Sequence, residues 1–179
     1  MVELPIVVID ASVAIARLRT DEHTPELLRA FRDWSSIGAG LVVPRNFWWE
    51  VVNGLAIGNG YSGERVLEAV HELELLGIES IDPDRGQLLL AIEAVERFRL
   101  TAYDAQYLVL AETLIAPLAT LDRNLARAAG IRARYLGRGD THRLPEEDAV
   151  YEHAVTWPRY RAASAYLAKL RAEAREAGG

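Results

Sequence analysis

The sequence contains no cysteine, and Lys169 is its single lysine. Without cysteine, disulfide bonds, thiolate metal sites and thiol nucleophiles are all excluded. No run of about 18 apolar residues is present, so the sequence predicts no membrane-spanning helix. The N-terminus also lacks a basic region ahead of an apolar segment, which argues against a signal peptide. We therefore expect a cytoplasmic protein.

Composition places the chain among ordinary globular proteins. Half of the 179 residues are apolar, enough for a sizeable core, and the length fits one domain with a small appendage. The formal net charge of −6 argues against a surface that coats nucleic acid broadly. It is compatible with a nuclease, because bound divalent cations would cancel several negative charges and local arginines can hold phosphates.

Short apolar runs alternate with segments of helical periodicity along the first 136 residues. The apolar runs predict five strands, at residues 6–9, 41–43, 78–81, 117–121 and 131–136. The periodic segments predict helices at residues 12–18, 25–37, 45–57, 62–76, 84–99, 101–114 and 124–129. Strands of this length separated by helices imply parallel pairing. The sequence therefore predicts an α/β fold with a short central parallel sheet of about five strands, flanked by helices.

The pattern changes after Leu136, which divides the sequence into a domain at residues 1–136 and an extension at residues 137–179. The extension begins as a loop, and from Pro158 it predicts an amphipathic helix. Because such a helix could not bury its apolar stripe alone, we expect it to pack on its own domain or on a twin subunit.

Four acidic residues stand at the same end of their βα units: Asp10, Glu50, Asp104 and Asp122. Two of them directly follow predicted strands, and the carboxyl ends of parallel strands meet at one edge of a sheet. Carboxylates that meet repel one another unless a cation neutralises them, and hard oxygen ligands suit Mg²⁺ or Mn²⁺. The four residues therefore predict a metal site at that edge.

Each acid also has a simpler interpretation. Asp10 and Asp122 could cap the helices that follow them. Thr101 and Asp104 fit a capping box. Glu50 could lie on a solvated helix face, although it stands outside a cap position and between apolar neighbours. The set of four, in a shared polarity, favours the metal site over four separate structural roles.

Other families with an aspartate after the first strand fit less well. Haloacid-dehalogenase phosphatases need a second aspartate where this sequence has Ser12, and a lysine late in the sheet, whereas Lys169 lies far outside. Receiver domains fail for similar reasons. A dinucleotide-binding site would need a glycine-rich turn after the first strand, and residues 10–13 contain no glycine.

Four short motifs resemble those of PIN-domain ribonucleases of the VapC toxin type. They occur in the family's order and are IDASVA at 9–14, Pro44 with EVVNGL at 50–55, TAYDAQYL at 101–108, and ATLDRNLA at 119–126. The resemblance covers roughly residues 2–136. It implies a PIN-like fold and metal-dependent hydrolysis of RNA phosphodiester bonds with Mg²⁺ or Mn²⁺ as the cofactor.

The resemblance also assigns roles to residues. Its catalytic acids would be Asp10, Glu50, Asp104 and Asp122, of which Asp10, Asp104 and Asp122 would be the metal ligands. Residues supporting the site would be Ser12, Thr120 and Asn124. Arginines flanking the site could hold the substrate backbone, because guanidinium pairs bidentately with phosphate; they are Arg17, Arg45 and Arg123.

A toxin of this type implies an RNA substrate, a cognate antitoxin and a homodimer. The alternative is a catalytically inactive PIN-like module that binds or scaffolds. A further hypothesis concerns the extension at residues 137–179, whose helix could imitate an antitoxin helix across the active groove.

Overall fold

A computed structural model of the protein describes residues 5–137. They form one five-stranded parallel sheet with strand order β3-β2-β1-β4-β5. The strands are β1 (Ile6–Ile9), β2 (Gly40–Pro44), β3 (Glu79–Ile81), β4 (Leu118–Thr120) and β5 (Ala133–Tyr135). The prediction of an α/β fold with a parallel sheet of about five strands flanked by helices is confirmed.

Seven α-helices flank the sheet within the described residues. They are α1 (Ala11–Leu18), α2 (Pro25–Ser36), α3 (Phe47–Asn53), α4 (Gly63–Glu74), α5 (Arg85–Phe98), α6 (Ala102–Leu114) and α7 (Arg123–Ala129). Most of these helices begin where the sequence supplies a capping side chain. The hydroxyls of Thr24, Ser62 and Thr101 each accept a hydrogen bond from the backbone N–H three residues later.

The central strand β1 lies between β2 and β4, and its residues after Ile6 are buried. Val8 and Ile9 are fully buried, and Val8 is paired in register with Val42 on one side and Leu118 on the other. A strand that is covered on both faces has a continuous apolar sequence, so β1 could be predicted from the sequence. Asp10 follows this strand directly and thus stands at the middle of the sheet edge.

Two predicted elements differ in detail. The helix predicted at residues 45–57 is α3 followed by a π-helical turn at Gly54–Gly58. The strand predicted at residues 131–136 is shorter, because Gly130–Arg132 forms a 3₁₀ turn first. In both places the local hydrogen-bonding pattern changes without a change in apolar composition, so periodicity does not reveal it.

Within residues 5–137, every helix is too short or too polar to cross a lipid bilayer. The extension at residues 138–179, with its predicted amphipathic helix and the hypothesis of an antitoxin-like contact, lies outside the described residues. The boundary predicted after residue 136 remains a prediction.

Candidate active site

Asp10 is a buried carboxylate at the carboxyl end of β1, with only 4% of its surface exposed. Its Oδ1 accepts hydrogen bonds from the Ser12 hydroxyl and, at 3.0 Å, from the backbone N–H of Val13. Its Oδ2 accepts one from the Thr120 hydroxyl. Burial raises the pKa of Asp10 to about 6, and the charge of Asp104 adds to this, although the hydrogen bonds oppose it. Asp10 is thus held rigidly in a setting that disfavours its negative charge.

Glu50 is half-buried on the first turn of α3, within electrostatic reach of Asp10. Its Oε1 accepts hydrogen bonds from the Tyr107 hydroxyl at 3.0 Å and from Asn46 Nδ2 at 2.5 Å. Burial raises the pKa of Glu50 to about 7, assisted by the charges of Asp104 and Asp10 and opposed by the Tyr107 hydrogen bond. The carboxyl group of Glu50 therefore feels the negative charges of both Asp104 and Asp10.

Asp104 lies in the first turn of α6, two residues after the helix begins at Ala102. Thr101 caps this helix: its hydroxyl accepts from the Asp104 N–H at 3.1 Å and donates to Asp104 Oδ2 at 2.7 Å. Because the charge of Asp104 raises the pKa of both Asp10 and Glu50, the three acids lie within electrostatic reach of one another. They come from three elements that are far apart in sequence.

Asp122 follows β4 and caps α7, as its simpler interpretation predicts. Its Oδ1 accepts hydrogen bonds from the N–H groups of Asn124 at 2.6 Å and Leu125 at 2.9 Å. Its own N–H donates to the Thr120 hydroxyl at 2.9 Å, and that hydroxyl donates in turn to Asp10. Asp122 is therefore connected to Asp10 through Thr120.

Ser12 and Thr120 join the two central βα junctions. The Ser12 hydroxyl donates to Asp10 and accepts from the backbone N–H of Leu121 at 3.1 Å. Thr120 is fully buried and makes the equivalent pair of bonds from the other side. Both hydroxyls therefore connect the end of β1 to the end of β4. The supporting role in catalysis that the resemblance implies for them stays a prediction.

Two of the three predicted phosphate-binding arginines are engaged away from the acids. The Arg17 guanidinium lies over the ring of Phe31, 5.7 Å from its centroid. Arg45 forms an ion pair with Asp82, just past β3. Their contact with substrate stays a prediction.

Arg123 and Asn124 lie on the first turn of α7, next to Asp122. Arg123 Nε donates to the Tyr135 hydroxyl at 3.2 Å. The side-chain oxygen of Asn124 accepts from Arg127 Nη1 at 3.2 Å. The roles predicted for both residues remain predictions.

The fold and the acid-bearing edge have a counterpart among known protein families. The PIN domain family model matches residues 7–131, which is more than half of the chain. The chain belongs to the PIN domain family. No curated protein sequence matches it.

Several solved structures share this PIN fold. PAE2754 from Pyrobaculum aerophilum aligns with a TM-score of 0.55 and 20% identity, over 76% of this chain and 93% of that one. A toxin–antitoxin complex from Klebsiella pneumoniae aligns at 0.55 and 16% identity, over 74% and 99%. The sarcin-ricin-loop-cleaving toxin VapC20 of Mycobacterium tuberculosis aligns at 0.55 and 14% identity, over 72% and 98%. At these identities the likeness shows a common fold.

The PIN family implies a divalent metal, and the donor chemistry at this edge fits one in part. Three neighbouring carboxylates with hard oxygen donors suit Mg²⁺ or Mn²⁺, and a cation would offset the burial and the weaker repulsion that together raise the pKa of Asp10 and Glu50. The side-chain oxygen of Asn46 is buried beside Glu50 with no hydrogen-bond partner among the described residues. That unsatisfied oxygen is a further hard donor.

The fit is incomplete in one respect. Among residues 5–137, no three acidic or histidine side chains are grouped closely enough to hold a metal ion as they stand. Each carboxylate is instead turned toward neutral donors of its own, most clearly at Asp122, whose Oδ1 caps a helix. The metal ligands Asp10, Asp104 and Asp122 therefore stay a prediction, and their side chains would have to reorient to share one ion.

Sequence reasoning missed two residues of this PIN site. They are Tyr107, whose hydroxyl contacts Glu50, and Asn46, whose side-chain nitrogen contacts the same carboxyl group. The available signal was spacing: Tyr107 follows Asp104 by three residues, which places both side chains on one face of α6.

Proposed function

We propose that this PIN domain is a metal-dependent ribonuclease and the toxin of a VapBC-type toxin–antitoxin pair. One observation carries the proposal: at the carboxyl edge of the sheet, burial and the charge of Asp104 raise the pKa of both Asp10 and Glu50, and the three acids come from three separate elements. Carboxylates kept together at such a cost are typical of functional sites.

Asp10, Asp104 and Asp122 would hold Mg²⁺ or Mn²⁺, and Glu50 would bind through a water molecule or orient the attacking water. When bound, such a cation lowers the pKa of a water molecule and stabilises charge on the phosphate. Asp10 supplies the fixed point of the site, because both of its oxygens are tied down. Glu50 is oriented toward such a role by the two hydrogen bonds that its Oε1 accepts from Tyr107 and Asn46.

The proposed substrate and partners are taken from solved structures that share this fold. VapC20 is described as cleaving the sarcin-ricin loop, and other solved PIN structures are toxin–antitoxin complexes, including one from Klebsiella pneumoniae. By analogy we propose an RNA substrate, a cognate antitoxin, a homodimer and a cytoplasmic location. Arg17, Arg45 and Arg123 would contact the RNA backbone once released from their present partners.

The alternative function is an inactive PIN-like module that binds or scaffolds. The observation that favours it is the lack of a ready metal-binding group of three among the described residues. The coupled acids favour the enzyme, because a scaffold gains nothing from raising the pKa of its own buried carboxylates.

The deciding experiment is cleavage of total RNA by the purified chain, with Mg²⁺, with Mn²⁺ and with EDTA. The substitution Asp104→Asn keeps an acceptor for Thr101 and removes the charge, so we expect activity to fall by roughly 100-fold or more without loss of fold. Asp33→Asn, on the exposed face of α2, is the matched control and should cleave like the wild type.

Metal binding is tested separately from cleavage. Saturating Mn²⁺ should raise the melting temperature of the wild-type protein, and Asp10→Asn should abolish that increase. Metal-dependent cleavage that survives in Asp104→Asn would point to a contaminating nuclease. No Mn²⁺ effect on melting, together with no cleavage, would establish the scaffold alternative.

A further inference from the structure

Tyr107 is a buried polar residue that the proposed chemistry does not use directly. It lies one turn beyond Asp104 on α6 and is only 1% exposed. Its hydroxyl donates to Glu50 Oε1 at 3.0 Å. The backbone of Ala11, the residue after Asp10, also acts on this phenol and lowers its pKa. The phenol therefore lies between the glutamate on α3 and the junction that bears Asp10.

The phenol is a permanent donor in this position. Burial, together with the charges of Glu50 and Asp10, raises the pKa of Tyr107 far above its ordinary value. The hydroxyl therefore stays protonated across the physiological range, and it keeps donating to Glu50 whatever the ionisation of the neighbouring acids.

Glu50 is held through one oxygen alone. Asn46 Nδ2 donates to the same Oε1, at 2.5 Å, from the residue one turn earlier. Within residues 5–137, Oε2 accepts no hydrogen bond from a protein donor. Two donors on one oxygen fix the orientation of the carboxyl group and leave the other oxygen available to a ligand.

We infer that Tyr107, assisted by Asn46, is a positioning residue that holds Glu50 by Oε1 and thereby reserves Oε2 for the cation or its bound water. The inference rests on the proposed function and deepens it, since it names how one acid of the site is oriented. It predicts an effect that packing alone would not produce, because phenylalanine fills the same volume as tyrosine without the hydroxyl.

The test substitution is Tyr107→Phe, compared with Tyr103→Phe on the same helix, where the ring is 59% exposed. Losing an outer partner of a metal-binding carboxylate typically weakens metal affinity or activity by about 10–100-fold. We expect Tyr107→Phe to weaken Mn²⁺ binding in calorimetry by about 10-fold. We also expect it to lower kcat for RNA cleavage with little change in KM. Tyr103→Phe should match the wild type in all three.

Each outcome is decisive. Wild-type Mn²⁺ affinity and kcat in Tyr107→Phe would overturn the positioning role while leaving the ribonuclease intact. A wild-type protein that neither binds Mn²⁺ nor cleaves RNA would remove the proposed function, and this inference with it. If Tyr107→Phe unfolds, Asn46→Ala removes the second donor from a partly exposed side chain, and unchanged Mn²⁺ affinity there would contradict the inference equally.

Discussion

At the scale of single residues, Thr120 has the most consequential position in the described structure. Its buried hydroxyl donates to Asp10 and accepts from the backbone of Asp122, so one oxygen links two of the four predicted catalytic acids. A hydroxyl can do both because it carries one proton and two lone pairs. No charged side chain could take this place without changing the electrostatics of the site.

Thr120→Val should show this directly. Valine keeps the shape but leaves the Asp10 carboxylate and the Asp122 N–H each short of a partner. We expect a loss of about 1–3 kcal/mol in the free energy of unfolding by urea denaturation. Thr113→Val, on the exposed end of α6, is the control and should change it by less than about 0.5 kcal/mol. Equal effects at the two positions would show that the Thr120 hydroxyl contributes nothing specific.

The residues of the site were predictable to different degrees. Asp10, Asp104 and Asp122 follow strands or open helices, and strand ends converge by rule, so their common edge could be predicted. The contact between Glu50 and Tyr107 could not be predicted, because the two residues are 57 positions apart and their contact depends on how α6 packs against α3. Apolar periodicity indicates which face of a helix is buried, but it does not predict what the hydroxyl of a buried tyrosine contacts.

At the scale of elements, the end of α3 is unusual because it continues as a π-helical turn at Gly54–Gly58. Gly54 packs against α1 so closely that a Cβ there would lie 2.4 Å from Ile15 Cδ1. The absence of a side chain lets the end of α3 approach α1, and Asp10 caps the start of α1. This close approach helps to fix Glu50 relative to the central strand.

Gly54→Ala should therefore be coupled to Ile15. We expect Gly54→Ala alone to lower the free energy of unfolding by about 1 kcal/mol, because Ile15 must move. In an Ile15→Val background, which lacks Cδ1, the same change should be neutral or stabilising by up to about 1 kcal/mol, since alanine favours helix. Chemical denaturation of the four proteins in the double-mutant cycle measures the coupling.

Gly63→Ala is the matched control, since a Cβ there meets nothing within 4 Å. Its effect should be the same with isoleucine or valine at position 15. Strictly additive effects of Gly54→Ala and Ile15→Val would contradict the close packing of α3 on α1. The sequence predicted a single helix through this region because its apolar spacing is unbroken, and a π turn inserts one residue without disturbing composition.

At the scale of the whole molecule, the acid cluster makes stability depend on pH. Asp10 and Glu50 have pKa values of about 6 and about 7, against ordinary values of 3.8 and 4.5. An acid whose pKa is higher in the folded state binds its proton more tightly there, so protonation favours folding. Without metal, the contribution is therefore most favourable below about pH 4 and is lost as the pH rises through 6 and 7.

In EDTA, the melting temperature should rise as the pH falls from 8 toward 5.5. Glu50→Gln removes one of the two groups and keeps an acceptor for Tyr107. We expect it to be more stable than the wild type at pH 8, by on the order of 1–2 kcal/mol, and to show a flatter pH profile. Calorimetric melting across this range measures both. A wild-type melting temperature that falls steadily from pH 8 to 5.5 would contradict the raised pKa values.

Magnesium should act in the opposite direction. Protons and cations compete for the same carboxylates, so the Mg²⁺-dependent gain in melting temperature should be largest at pH 8 and shrink toward pH 5.5.

Fold class and strand number were predictable at this scale because buried parallel strands have a plain apolar signature. The strand order was less predictable, because the sequences of β3 and β5 do not indicate which strand each one pairs with.

The strand order has a consequence for synthesis of the protein. Asp10 lies near the N-terminus, yet its Oδ2 partner Thr120 and its neighbouring strand β4 are made 110 residues later. The nascent chain therefore cannot assemble the carboxylate centre until almost the whole domain has left the ribosome. Under the proposed function, the unfinished polypeptide would therefore lack a complete site for cleaving RNA while it is still being translated.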